Sequence, residues 1–313
     1  MFKIKTSNKS ISLEEKISDI IKKNIFINNS DYTIKANEYI SIIKENDEII
    51  INNKKYKLCY FLGDGSYGTV WKIENNNNYY AVKFLKYETV KGELIHQEIS
   101  NYYDIIKGYG IYKINNINIF LMDLGYKFTI YDFRECFFLM NNILTVLLKL
   151  NEHNIIHNDI KPNNILKKNN GIYSLIDFNL CSTISNISDN DMINNFYYKS
   201  YNLLINYYKI DYFKCDIWAL GCTIYTLYKK ELLFKGNNLQ EQIILLKNYL
   251  DLSNTDKFNF IFEKLFGNNI DIQDLNKKYF VDLLLLMINN EENILISKNL
   301  LNTVNQVITK IKF

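Results

Sequence analysis

The sequence predicts an α+β chain in two lobes, a small β-rich lobe followed by a larger helical one. Three observations carry this. Up to about residue 123, short β-branched and aromatic runs are separated by asparagine- or glycine-rich turns. From Thr129 onward apolar residues recur at helical spacing, most clearly in CFFLMNNILTVLLKLNEHN. Between two apolar runs, IIHNDIKPNNIL at 155–166 holds Pro162, the only proline in 313 residues.

The elements follow in order. Residues 1–55 form an extension in which SLEE at 12–15 has capping-box spacing and opens a helix through about Lys23. DEIIINNKKYKLCYFL reads as strands about an Asn-Lys turn. GDGSYGTVWKIE and NNYYAVKFLK are two more strands, joined by the asparagine turn at 75–78. GELIHQEISNYYDII places Leu94, Ile95, Ile99, Tyr102, Tyr103 and Ile106 at helical spacing. INIFLMDL is a strand leading to Gly125, and a short hairpin ends in SLIDFN. After residue 200 helices dominate. The division expected is 1–55 extension, 56–125 small lobe and 126–313 large lobe.

Hydrophobic residues make up 48% of the chain, enough for a buried core. A net charge of +3 is too mild to argue for nucleic acid or a membrane surface. Cys59, Cys136, Cys181, Cys215 and Cys222 are scattered and contain no CxxC pair, which reads as reduced thiols in a cytoplasmic protein. No secretory leader and no membrane span is expected. Abundant isoleucine, asparagine and lysine beside a single arginine, Arg134, fit an AT-rich coding sequence, as in parasitic protists or large DNA viruses. Against that bias, Pro162 and the glycines near residue 65 stand out as positions chosen by geometry.

Gly63, Gly65 and Gly68 have G-x-G-x-x-G spacing. The residues TVWKI after the last glycine continue as a strand, so the loop is a hairpin tip and not the strand-to-helix turn of a dinucleotide site. Such a tip lets backbone approach phosphate closely. Lys83 lies in the apolar strand YAVKF and needs an anionic partner. Glu98 on the next helix is the partner expected, with Glu93 read as a solvated first-turn acid. In HNDIKPNN, Asp159 is a candidate base, Lys161 a candidate phosphate contact and Asn164 a candidate metal ligand. Asp177, in LIDFN, is a carboxylate placed to bridge Mg²⁺ and phosphate.

These motifs, in this order, resemble the eukaryotic protein kinase family from about Tyr56 to about Leu301. The family's glycine loop resembles Gly63–Val70, its V-A-I-K resembles YAVK, and its H-R-D-L-K-x-x-N resembles His157–Asn164. D-F-G resembles Asp177-Phe178-Asn179, and CDIWALGC resembles the helix after the activation segment. The resemblance implies a bilobal kinase fold with ATP between the lobes and Mg²⁺ as cofactor. It implies phosphoryl transfer to a serine or threonine hydroxyl of a protein by a monomer, with Lys161 two residues after the base as the serine/threonine mark. Asp159 and Lys161 become the catalytic pair, and Asn164 and Asp177 the metal ligands. Gly63, Asp64, Gly65, Ser66, Gly68 and Val70 cover the phosphates, and Lys83 with Glu98 grips them. Met122 guards the back pocket, backbone groups near Asp123, Leu124 and Gly125 meet adenine, and Ala81 is a further nucleotide contact. Pro162 then has a purpose: it biases Lys161 to extended torsions and steadies the turn that presents Asn164.

The chain also departs from the family. Asn158 replaces the arginine that grips a phosphorylated activation loop, so loop phosphorylation is expected to be dispensable. Asn179 replaces the D-F-G glycine, Asn202 replaces the glutamate of A-P-E, and Asn195 stands where a threonine is usual. ILIS at 294–297 lacks the arginine with which that glutamate would pair. The competing reading is a pseudokinase-like, nucleotide-binding scaffold.

Overall fold

The computed structural model describes residues 11–23, 29–186, 196–205, 210–267, 274–289 and 296–310. Two helices, α1 (Leu13–Lys23) and α2 (Ser30–Ile42), precede a six-stranded antiparallel sheet. Its strands are β1 (Glu48–Ile51), β2 (Lys54–Gly65), β3 (Gly68–Asn75), β4 (Asn78–Leu85), β5 (Gly108–Ile114) and β6 (Ile117–Asp123), in the order β1-β2-β3-β4-β6-β5. One helix, α3 (Lys91–Ile99), lies between β4 and β5 in the chain. β1 belongs to the extension by sequence, yet it pairs with β2 from Glu48 opposite Lys57 to Ile51 opposite Lys54.

Asparagine makes the hairpins possible. Asn52-Asn53, Asn76-Asn77 and Asn115-Asn116 are two-residue turns with φ between 48° and 65°. These left-handed torsions match the twist of the strands they join, and asparagine tolerates them better than most residues. The first turn is therefore Asn52-Asn53 and not the Asn-Lys pair expected from the sequence. Ile49, Leu58, Ile73, Val82, Phe84 and Ile119 fill the core of this sheet.

The second lobe is helical. Its helices are α4 (Phe133–Glu152), α5 (Tyr201–Leu204), α6 (Tyr212–Lys229), α7 (Leu239–Leu250), α8 (Asn254–Phe266), α9 (Leu275–Ile288) and α10 (Ile296–Lys310). α4 starts at Asp132, whose side chain accepts from the Arg134 N–H. It buries Phe137, Met140, Ile143, Leu144 and Leu147, each worth about 1.5–3 kcal/mol relative to exposure. α6 packs against α4 and α9. Four short strands, β7 (Ile155–Ile156), β8 (Ile165–Lys167), β9 (Tyr173–Leu175) and β10 (Ser182–Thr183), pair as β7 with β10 and β8 with β9. β7 and β8 flank residues 157–164, and Asp177 follows β9. A curled antiparallel sheet followed by a helical lobe is the bilobal kinase architecture that the sequence led us to expect. Asn195, Ile294 and Leu295 lie outside the described residues.

Candidate active site

The loop from His157 to Asn164 is held from below. The buried Asp216 of α6 accepts the His157 N–H at 2.8 Å with one oxygen and the Asn158 N–H at 2.9 Å with the other. Burial pushes the Asp216 carboxyl up, opposed by His157 and these two backbone donors. Asn158 adopts φ 62°, a left-handed torsion that few residues other than asparagine and glycine accept easily. Lys161 is extended, with φ −160° and ψ 163°, and Pro162 opens a 3₁₀ turn of Pro162–Asn164. The Asn164 N–H closes that turn on the Lys161 carbonyl at 3.0 Å.

Two candidate side chains meet at the Asp159 carboxylate. Lys161 Nζ lies 2.7 Å from Asp159 Oδ2. Asn164 Nδ2 donates to the same oxygen and to the Asp159 carbonyl, both at 2.8 Å. Both Asn164 amide contacts use nitrogen, so its oxygen is turned away from Asp159. The Ile176 N–H binds the Asn164 carbonyl at 3.0 Å, which brings Asp177 to the same turn. Asp177 has φ 64° and ψ 72°. Burial works to raise its pKa, but Lys83, Asn179 and the surrounding positive groups hold it below the usual carboxylate range. His157 and Phe178 pack ring on ring at 4.8 Å, and His96 of α3 meets Phe178 at 5.2 Å.

Lys83 corrects one expectation. Its Nζ lies 2.7 Å from Glu93 Oε1 and 4.0 Å from Asp177 Oδ1. Glu98 pairs instead with Lys16 of α1, at 2.8 Å. The cause is where α3 begins. The helix starts at Lys91, and its first turn faces inward, so Glu93, His96 and Ile99 are buried on one side. Glu98 lies five residues on, about 140° around a helix of 3.6 residues per turn, and faces α1. Burial alone would lower the Lys83 pKa; the carboxylates of Glu93 and Asp177 overcome it and raise it.

The glycine loop is the tip of the β2–β3 hairpin, with Ser66 and Tyr67 between the strands. A side chain at Gly63 would meet nothing, whereas a Cβ at Gly68 would lie 2.3 Å from the Phe84 carbonyl oxygen. Val70 pairs in register with both Gly63 and Lys83. Lys86, which the sequence did not single out, lies 2.6 Å from Asp64 and 3.0 Å from the Gly65 carbonyl. Ala81 is buried opposite Met122. The Asp123 N–H is engaged by the Lys107 carbonyl at 2.9 Å. Among the described residues, the backbone groups of Leu124 and Gly125 make no hydrogen bond. A Cβ at Gly125 would lie 2.4 Å from Ile106 Cδ1, so that side chain would have to shift.

The amide oxygen of Asn164 and the carboxylate of Asp177 are hard oxygen donors. Mg²⁺ takes such ligands and completes its shell with phosphate and water. In its chemistry the pair Asn164 and Asp177 fits Mg²⁺.

Asn179, in the position of the D-F-G glycine, donates to Asp177 Oδ1. It rests on Gly92 of α3. A Cβ at Gly92 would lie 2.3 Å from Asn179 Oδ1 and 2.8 Å from its Cα. Gly92→Ala is expected to destabilise the protein by about 2 kcal/mol through overpacking, which lowers the melting temperature by roughly 5 °C. Adding Asn179→Gly relieves the contact with Oδ1 but not the one with Cα, so it restores only part of the loss. An unchanged melting temperature for Gly92→Ala would show that α3 yields freely at this contact.

Comparison with known proteins gives the family. The protein kinase domain family matches residues 56–294. Calcium-dependent protein kinase 6 of Plasmodium berghei is 30% identical over 200 residues, 58% of this chain and 13% of the relative. Cyclin-dependent kinase-like 2 of Homo sapiens is 28% identical over 213 residues, 61% of this chain and 43% of the relative. Calcium-dependent protein kinase 4 of Plasmodium berghei is 27% identical over 261 residues, 75% of this chain and 48% of the relative. The chain thus spans less than half the length of each of these relatives. With a matched domain over most of its length, and the lobes and loops that domain requires, the chain belongs to the protein kinase family.

Proposed function

We propose that the chain is a serine/threonine protein kinase, transferring the γ-phosphoryl group of Mg-ATP to a protein hydroxyl. The observation that carries this is the convergence of Lys161 and Asn164 on the Asp159 carboxylate, with the Lys83–Glu93 pair beside Asp177. Asp159 orients the attacking hydroxyl and takes up its proton. Lys161 neutralises charge on the group in transit. Lys83, steadied by Glu93, holds the α- and β-phosphates under the glycine loop. Mg²⁺, when bound, neutralises phosphate charge. Such a site works by positioning and charge stabilisation more than by covalent chemistry. The printed names of the relatives, calcium-dependent protein kinase and cyclin-dependent kinase-like, support protein as the acceptor. Lys161 supports serine or threonine.

The test is transfer from radiolabelled Mg-ATP to a generic basic protein, followed by phosphoamino-acid analysis. Phosphoserine or phosphothreonine is expected. Phosphotyrosine alone would overturn the residue class. Nucleotide binding without transfer would favour the scaffold reading.

A second feature supports activity without loop phosphorylation. Lys199, buried among the catalytic loop and α6, donates to the Asn158 carbonyl at 2.6 Å and to Asn158 Oδ1 at 3.0 Å. Burial lowers the Lys199 pKa, against the pull of Asp159 and Asp216. The segment before α5 is thus tied to the catalytic loop by a lysine of its own, where the family uses an arginine and a phosphate. Phosphatase-treated protein is expected to keep its rate within about twofold. Lys199→Met, which strands two acceptors at about 1–3 kcal/mol each, is expected to lose roughly tenfold. Dependence of the rate on loop phosphate would overturn this.

A further inference from the structure

Helix α1 precedes the matched domain, yet it touches three segments that flank the site. Leu13 and Ile17 are buried, and Ile17 is 0% exposed. They belong to one apolar cluster with Ile95 and Ile99 of α3 and with Cys181 beside β10. α1 packs against both α3 and β10. Its polar contacts reach three separate segments. Lys16 Nζ lies 2.8 Å from Glu98 of α3 and donates to the Tyr102 hydroxyl at 2.7 Å. Glu14 accepts from Asn154 Nδ2 at 2.9 Å, at the entry to β7 and the catalytic loop. Ser18 Oγ accepts from Asn186 Nδ2 at 2.9 Å, downstream of Asp177 and β10.

Neither helix is strong alone. α1 has 11 residues, below the length at which an isolated helix is stable in water. Its Ser12–Glu15 capping box, with bonds of 2.8 and 3.2 Å, fixes only its first turn. α3 has nine residues, and Val90 before it makes no side-chain cap. The place of α3, and with it the place of Glu93, is therefore decided by what packs on it. The turn at Asn179 meets α3 at Gly92, and α1 meets it at Glu98 and the apolar residues nearby.

We infer that α1 is a built-in positioning element for phosphoryl transfer. Seated on the large-lobe core, it holds α3 inward so that Glu93 reaches Lys83, with Ile17 and Lys16 as the positioning residues. This deepens the kinase reading above and rests on it for its catalytic consequence. The same contacts carry the order of α1 to Asn186 and Asn154, so the helix, the activation segment and the catalytic-loop entry are set together.

The test uses the full chain with three changes: Ile17→Asp, Lys16→Glu, and Lys16→Glu combined with Glu98→Lys. Amide hydrogen exchange is read along α3 and α6, and the rate of transfer from Mg-ATP is measured on the same samples. Ile17→Asp is expected to speed exchange in α3 at least tenfold while α6 stays protected, and to lower transfer at least tenfold. Lys16→Glu is expected to produce a smaller change in the same direction, and the charge swap with Glu98→Lys to reverse it. Unchanged α3 exchange in both single variants would overturn the inference. So would failure of the swap to reverse Lys16→Glu, which keeps the proposal exposed if Ile17→Asp unfolds the whole chain. If the unmodified protein transfers no phosphate, the kinase reading falls, and the exchange data still decide whether α1 positions α3.

Discussion

Asp159→Ala is expected to cut phosphoryl transfer by roughly a thousandfold, within the range for loss of a positioned acid–base group. The fold should survive the change. Asp159 is 8% exposed, and the strongest hold on its loop comes from elsewhere, through the Asp216 carboxylate on the backbone of His157 and Asn158. Asn164 keeps its bond to the carbonyl of residue 159 at 2.8 Å. Lys161 loses its carboxylate partner but is 20% exposed, so water compensates part of the loss. A melting temperature within a few degrees of the parent, together with a lost rate, separates chemistry from folding. A variant that keeps more than a tenth of the rate would remove Asp159 from the proposed role.

Glu93→Gln is expected to lower transfer about a hundredfold, whereas Glu98→Gln stays within tenfold. The two residues differ in burial and in partner. Glu93 is 4% exposed and Lys83 14%, so the pair is shielded from water. Removing one member strands the other, a loss of about 3–5 kcal/mol for a buried pair. The nearest remaining carboxylate for Lys83 is Asp177, at 4.0 Å. A lysine drawn to Asp177 would leave the phosphate position proposed for it and compete for the proposed metal carboxylate, and misplacement by about 1 Å is enough for a hundredfold. Glu98 is 22% exposed, and its partner Lys16 36%. A pair this open is screened by water and contributes little. Steady-state rates with the Michaelis constant for Mg-ATP decide between them; a larger loss for Glu98→Gln than for Glu93→Gln would reverse the assignment of the pair.

Much of this site was legible in one dimension because its motifs are local. Asp159, Lys161, Pro162 and Asn164 span six positions, so torsions set by one residue place the next. Lys161 is extended just before Pro162, as the steric effect of proline requires. The strand character of TVWKI after Gly68 likewise separated a hairpin tip from a strand-to-helix turn. The capping box at Ser12 needed only its own four residues, and both of its bonds are present.

What the sequence by itself determined is therefore the bilobal class, the family and the order of the motifs, because hydrophobic period and neighbouring torsions are properties of adjacent residues. What only the tertiary structure decided is which distant groups meet. Glu93 and Glu98 are both acids on one short helix, and the choice between them depends on its rotation against β4, which no local pattern encodes. The seat of Asn179 on Gly92, the reach of Lys199 to Asn158 and the bridge from α1 to α3, Asn154 and Asn186 have the same character. Each is a contact between segments whose relative placement follows from packing the whole core.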